Sequence, residues 1–138
     1  MDDRFLAAPP AADNYLLDGT TVASWLNTRD HKRIGVMFLA AVLFFFLVGG
    51  IFALALRMKL LFPGPFLFDA LTYNRLFTLH GVTMIFLFMI PAIPSAFANF
   101  VLPLMIGARD VAFPRLNLAS FYVYFTGAIL ALWAMVHG

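Results

Sequence analysis

YNRLFTLHGVTMIFLFMIPAIPSAFANFVLPLMIGARDVAFPRLNLAS, residues Tyr73 to Ser120, sets one histidine inside an apolar run long enough to cross a bilayer. From Leu76 to Gly107 the run holds no Asp, Glu, Lys or Arg, so His80 is its only ionisable group. An ionisable side chain at membrane depth is costly and, as a rule, functional. A neutral imidazole in such a place suits a metal or haem iron: one ring nitrogen gives its lone pair, and the other is held by an acceptor beyond the ligand shell. The bland alternative is a histidine that bonds a carbonyl of a neighbouring helix and packs. The downstream residues tip the balance towards function. Asn99 is followed by Asp110 and Asn117, which flank the tripeptide Phe113-Pro114-Arg115, a polar sequence that an inert packing helix does not need.

Working outward, the composition excludes an ordinary soluble fold. Hydrophobic residues make up 63% of the 138, charged residues only 12%, and there are 17 Phe, while the mean hydropathy is +0.92; this is the profile of an integral membrane protein. The acidic residues are all Asp, and the net charge of +2 comes mostly from residues bracketing the apolar runs. That distribution marks membrane flanks and not a nucleic-acid surface. The absence of Cys removes disulfides, thiolate metal sites and iron–sulfur clusters, leaving histidine and the methionine thioethers as ligands.

Residues 1–33 read as a loosely structured tail with a basic flank: small residues, Asp and Pro mix without periodicity up to about Asn27. No secretory signal is expected, because Asp2 and Asp3 precede any apolar segment. Trp25 suits an aromatic anchor at the interface, and His31, inside Arg29-Asp30-His31-Lys32-Arg33, suits a solvated or headgroup-level position. A first span covers 34–57, with Gly49 and Gly50 permitting close helix contact. A loop at 58–75 contains Pro63-Gly64-Pro65. The second span, 76–106, is ~45 Å long if helical, and Pro91 and Pro94 predict a kink. A short polar loop at 107–116 leads to a third span at 117–137.

Arg29, Lys32, Arg33, Arg109 and Arg115 fall on one side of these spans, and Arg57, Lys59 and Arg75 on the other. The bias places the N-terminus and the Asp110 loop in the cytoplasm. His80 then lies towards the opposite face, ~28 Å along the helix from Asn99.

At these residues the chain resembles a known family. The order Y-N, T-x-H-G, M-I-F, then N-F-x-x-P-L-M-I-G-A-x-D-x-A-F-P-R-L-N and S is similar to the N-terminal part of the catalytic subunit of haem-copper oxidases, nearest to the cytochrome c oxidase type, over about residues 30 to 138. The resemblance implies an all-α membrane fold in which three helices form part of a bundle of about twelve. His80 matches the axial ligand of a low-spin haem, expected to be haem a, and Arg57 matches the arginine that bonds that haem's formyl group. Tyr73, with Asn74, occupies the Tyr-Asn pair before the histidine helix. Asp110 matches the aspartate where protons are taken up, Asn99 and Asn117 the asparagines at the mouth of the proton pathway, and Ser120 a polar residue higher in it.

Ser95, Ala96 and Ala98 stand where many members carry glycine, Phe100 replaces a tryptophan, Arg109 a proline and Leu118 a second asparagine. None of these touches the axial histidine, and Leu118 makes the channel mouth less polar. The high-spin haem, the copper and their ligands are expected outside these residues, so the chain alone is not expected to be an oxidase. The implied partners are the remaining helices of the catalytic subunit, other oxidase subunits, cytochrome c as electron donor and the lipid bilayer; nucleic acid is not expected. The implied location is a bacterial plasma membrane. The competing reading is a non-catalytic structural or assembly subunit of a respiratory complex. A small channel is disfavoured, because three spans offer no repeat and no second charged group at mid-membrane.

Overall fold

The computed structural model describes residues 21–62, 64, 67–108 and 111–137. Among the described residues there are helices and no strands: α1, Val22–Leu26; α2, His31–Leu61; α3, Ala70–Ile106; and α4, Pro114–His137. By length and composition α2, α3 and α4 are each able to cross a membrane. The protein is an all-α membrane chain.

The helices outrun the apolar stretches because polar residues at their ends are good caps and good helix formers. Asp30 caps α2, its Oδ1 accepting the Lys32 amide at 2.9 Å. The helix then continues through Arg57, Met58 and Lys59, residue types that favour helix. It stops at Leu61, with Phe62 before Pro63, since a proline disfavours helical backbone in the residue ahead of it. Asp69 caps α3, its Oδ1 accepting the Thr72 amide at 3.0 Å, so the helix is already formed when the apolar run begins. Gly107 closes α3 in the left-handed conformation at φ 67°. Pro114 opens α4, where its missing amide falls among groups that have no intrahelical partner.

Pro91 and Pro94 do not simply bend α3. The chain around them forms two π-helical segments, Thr83–Met89 and Ala92–Phe97. The physical reason is local. An α-helix would pair the Leu87 carbonyl with an amide at position 91, where proline has none and its ring crowds that carbonyl. A wider turn relieves the contact, and the Tyr124 hydroxyl of α4 donates to the Leu87 carbonyl at 2.6 Å. A neighbouring helix thus satisfies the group that proline orphans, as a membrane requires.

α2 is the central element. Its stripe Ile34, Phe38, Ala41 and Val42 packs with Ala92 and Ala96 of α3 and Phe121 of α4, and Phe45 continues the stripe against Leu87 and Ala128. Phe38 and Phe121 meet edge to face at 5.2 Å. Ala96, one of the departures from the family pattern, is a buried member of this core. At Gly35 an added Cβ would stand 2.9 Å from the ring of Phe100, another departure, so that ring fills the space the glycine leaves.

Two sequence expectations for the N-terminal flank are corrected. Residues Val22–Leu26 form the short helix α1 instead of continuing the loose tail, and His31 is only 5% exposed. Both follow from one set of contacts. Tyr122 of α4 donates its hydroxyl to the Leu26 carbonyl, Arg33 donates to Ser24 Oγ at 3.0 Å, and the Arg33 guanidinium lies 5.1 Å over the Trp25 ring. α1 is therefore a strap tied to α2 and α4, and the start of α2 is buried there. The paired glycines also differ: an added Cβ at Gly49 would run into α3, whereas at Gly50 it would meet nothing within 4 Å among the described residues.

Candidate functional site

His80 lies in α3, half-buried, with its Nδ1 2.9 Å from the backbone carbonyl of Gly49 in α2. A carbonyl oxygen only accepts, so Nδ1 must carry the proton and donate. In the neutral ring this leaves the lone pair on Nε2, which has no hydrogen-bond partner among the described residues. One contact thus fixes both the tautomer and the ring orientation, the arrangement that makes a histidine a good metal ligand.

The close approach of α2 and α3 makes this contact possible. A Cβ on Gly49 would sit 2.7 Å from Met84 Sδ and 3.5 Å from Thr83 Cγ2, so a larger residue here would have to displace the Met84 side chain or part the helices. Thr83, fully buried beside the same crossing, has a hydroxyl with no partner among the described residues. No group of three or more His, Cys, Asp or Glu side chains able to hold a bare metal ion occurs among the described residues. A single oriented imidazole fits an iron whose equatorial donors arrive with a porphyrin better than it fits a naked ion.

The other expected cofactor residues lie at a distance from His80. Arg57 is exposed, ~12 Å along α2 from Gly49 and one residue around the helix from buried Leu56. Tyr73 is two turns, or ~10 Å, before His80 on α3. It lines an open pocket of about 540 Å³ with Lys59, Phe68 and Asp69, in which Lys59 donates to the Gly64 carbonyl. Tyr73 therefore belongs to the loop end of the helix pair and not to the histidine's own level. The Asp69 carboxyl there is held below its ordinary value by hydrogen bonds from the Thr72 side chain and amide.

A second polar cluster forms at the other end of α3. Asn99, 6% exposed, and Asn117 of α4 exchange hydrogen bonds: the Asn117 amide donates to Asn99 Oδ1 and the Asn99 amide to Asn117 Oδ1 at 3.4 Å. Asn99 also donates to the Ser95 carbonyl one turn back. Ser120 is exposed and donates to the Asn117 carbonyl at 2.6 Å. Asn117 lies within the first turn of α4, its amide bonded to the Phe113 carbonyl at 3.1 Å, so it is not the helix cap. The two amides that the resemblance sets at the mouth of the proton pathway thus meet each other directly. Asp110 and Arg109 lie outside the described residues.

Two partners of these sites went unrecognised in the sequence. Gly49 stood out as a packing glycine, but no periodicity marks its carbonyl as the acceptor for His80. Tyr124 had a usable signal: a proline inside a membrane span demands a donor from a neighbour, and Tyr124 is one of few hydroxyl donors in the third span.

Residues 33–138 match the model of the family described as Cytochrome C and Quinol oxidase polypeptide I. Among curated proteins, the chain is similar to cytochrome c oxidase subunit 1 of Bacillus subtilis, 47% identical over 111 residues, covering 80% of this chain and 18% of that protein. It is 48% identical over 103 residues to cytochrome c oxidase subunit 1 of Synechocystis sp., covering 75% and 18%, and 42% identical over 111 residues to that of Alkalihalophilus pseudofirmus, covering 80% and 18%. The chain spans about a fifth of the length of the curated relatives it matches.

Proposed function

The chain belongs to the cytochrome c and quinol oxidase polypeptide I family, and on that premise we propose that it forms the first three membrane helices of the catalytic subunit of a proton-pumping terminal oxidase that reduces O2 with electrons from cytochrome c. In this reading α3 supplies one axial ligand to a low-spin haem, of the a type, and the α3–α4 end supplies the region of proton uptake. The observation that supports the reading is the bond from His80 Nδ1 to the Gly49 carbonyl at 2.9 Å, which leaves the Nε2 lone pair available to a ligand. A haem bound there supplies one-electron redox chemistry.

The chain's own residues do the rest. Gly49 orients the imidazole and raises its basicity, and the packed crossing at Met84 and Thr83 keeps α2 and α3 at the separation this bond needs. Arg57 is proposed to reach the haem edge from the end of α2 and to hydrogen-bond the formyl group, with Tyr73 near the same end. Asp110, the only acidic residue after Asp69, sits in the connection between α3 and α4. The Asn99–Asn117 pair holds the two helices together near that connection, so the carboxylate is proposed to collect protons beside these amides and Ser120. The high-spin haem, the copper and the remaining helices are proposed to come from outside residues 1–138, alongside other oxidase subunits, in a bacterial plasma membrane with the N-terminus in the cytoplasm.

The test is the reduced-minus-oxidised spectrum of the assembled membrane complex. His80→Ala removes the low-spin haem band if the reading holds; an unchanged spectrum identifies a structural subunit instead. Asp110→Asn, which keeps size and hydrogen bonding but loses the titratable charge, slows turnover and abolishes pumping while leaving that band intact. Wild-type turnover with wild-type proton release in this variant reduces Asp110 to a residue of the loop.

A further inference from the structure

An open cavity of about 570 Å³ lies where the connection from α1 to α2 meets the start of α4. Arg29 and Arg115 line it together with Phe113, Pro114, Leu116 and Ala119. Neither arginine figures in the haem or proton readings above. The two guanidinium groups come from segments far apart in sequence, and the Tyr122 hydroxyl bond to the Leu26 carbonyl keeps those segments adjacent. Below the cationic rim the lining is apolar. Leu116 and Ala119 lead along one face of α4, at steps of three and four residues, to Val123, Gly127 and Leu130. There a second cavity of about 420 Å³ is lined by Tyr122, Val123, Thr126, Gly127 and Leu130. No atom of the described residues lies within 4 Å of the position a Cβ would take at Gly127, which deepens this second groove, and Val123 and Leu130 are 74% and 59% exposed.

We propose that Arg29, Arg115 and this face of α4 form a binding site for one anionic phospholipid, with its phosphate between the two guanidinium groups and an acyl chain along Ala119, Val123 and Gly127. Charge complementarity selects the headgroup, since guanidinium recognises phosphate with paired hydrogen bonds and a zwitterionic lipid brings no net charge to the rim. The dimensions agree. Arg115 to Leu130 spans ~22 Å of helix, and half a bilayer including its headgroups is ~20–22 Å. The basic rim also lies at the membrane face that carries the excess of Arg and Lys, the side where anionic lipids collect.

The experiment uses native membranes containing the complex as it assembles, doped with phosphatidylglycerol carrying a photoreactive group midway along one acyl chain. Phosphatidylcholine with the same chain serves as the control. Cross-linked peptides are mapped by mass spectrometry. The site predicts phosphatidylglycerol adducts on residues 119–130 about thirtyfold more abundant than phosphatidylcholine adducts, as two basic contacts of about 1 kcal/mol each at a membrane surface imply. Arg29→Gln with Arg115→Gln lowers the phosphatidylglycerol adducts to the phosphatidylcholine level. Equal labelling by the two lipids in the unaltered protein overturns the proposal without recourse to a variant. Persistence of the preference in the double variant overturns it too, as does the absence of α4 adducts from either lipid, which shows another chain covering this face.

Discussion

Replacing Gly49 with alanine introduces a methyl group 2.7 Å from Met84 Sδ and 3.1 Å from Met84 Cγ. Non-bonded heavy atoms of this kind are comfortable at about 3.5–4 Å, so Met84 or the whole of α3 must withdraw by close to 1 Å. Overpacking of this degree costs about 1–3 kcal/mol, while alanine in a helix gains back about 0.8–1 kcal/mol relative to glycine. Gly50→Ala carries the same propensity gain with nothing among the described residues within 4 Å of the new methyl. The difference between the two variants therefore isolates the contact at about 1–3 kcal/mol. Unfolding of the purified complex in mixed detergent and SDS micelles measures it: Gly50→Ala is neutral to stabilising and Gly49→Ala destabilising. Met84→Ala in the Gly49→Ala background recovers most of the loss, because it removes the atoms that clash. Since the Gly49 carbonyl also holds His80, Gly49→Ala shifts the low-spin haem band and Gly50→Ala does not. Equal effects of the two substitutions, or no recovery with Met84→Ala, would refute the reasoning.

Tyr124→Phe strips the donor from the Leu87 carbonyl and costs about 1–2 kcal/mol in the same unfolding assay, the penalty of an unpaired buried carbonyl; a neutral result means that the π-helical turn satisfies this carbonyl by itself. Asn117→Leu leaves Asn99 without its cross-helix partner and destabilises by about 0.6–1.7 kcal/mol, the range for interhelical hydrogen bonds in membranes. A larger loss of turnover than of stability in this variant separates proton uptake from packing. Asp69 caps α3 with a carboxyl lowered from its ordinary 3.8; the cap is complete above that value and is lost as pH falls through the lower folded value. Protection of the Thr72 amide from exchange, taken relative to the unstructured rate at the same pH, then falls on acidification only below about pH 4, and Asp69→Asn abolishes that fall.

The three spans were legible because membrane insertion imposes long runs without charge, bracketed here by Arg33, by Arg57 and Lys59, and by Arg115. Their ends were less so, since capping by Asp30 and Asp69 and initiation by Pro114 are local chemistry that carries a helix beyond its apolar core. The inward face of α2 was not legible. Exposed Leu43, Phe44 and Leu47 are as apolar as buried Ile34, Phe38 and Val42, so no polar and apolar alternation distinguishes them. The strap α1 escaped notice because its attachment depends on Tyr122, nearly a hundred residues later, donating to a backbone carbonyl. His80, Asn99 and Asn117 stood out for the opposite reason, as polar groups in an apolar setting. Which partner each would find depended on how the helices cross: His80 met the Gly49 carbonyl, and the two asparagines met each other.

The most direct measurement is an experimental density map of the assembled membrane complex at a resolution that separates the two imidazole nitrogens of His80. The account predicts a haem iron at bonding distance from Nε2, with Nδ1 still donating to the Gly49 carbonyl. An iron coordinated through Nδ1, or no haem against His80, would contradict it.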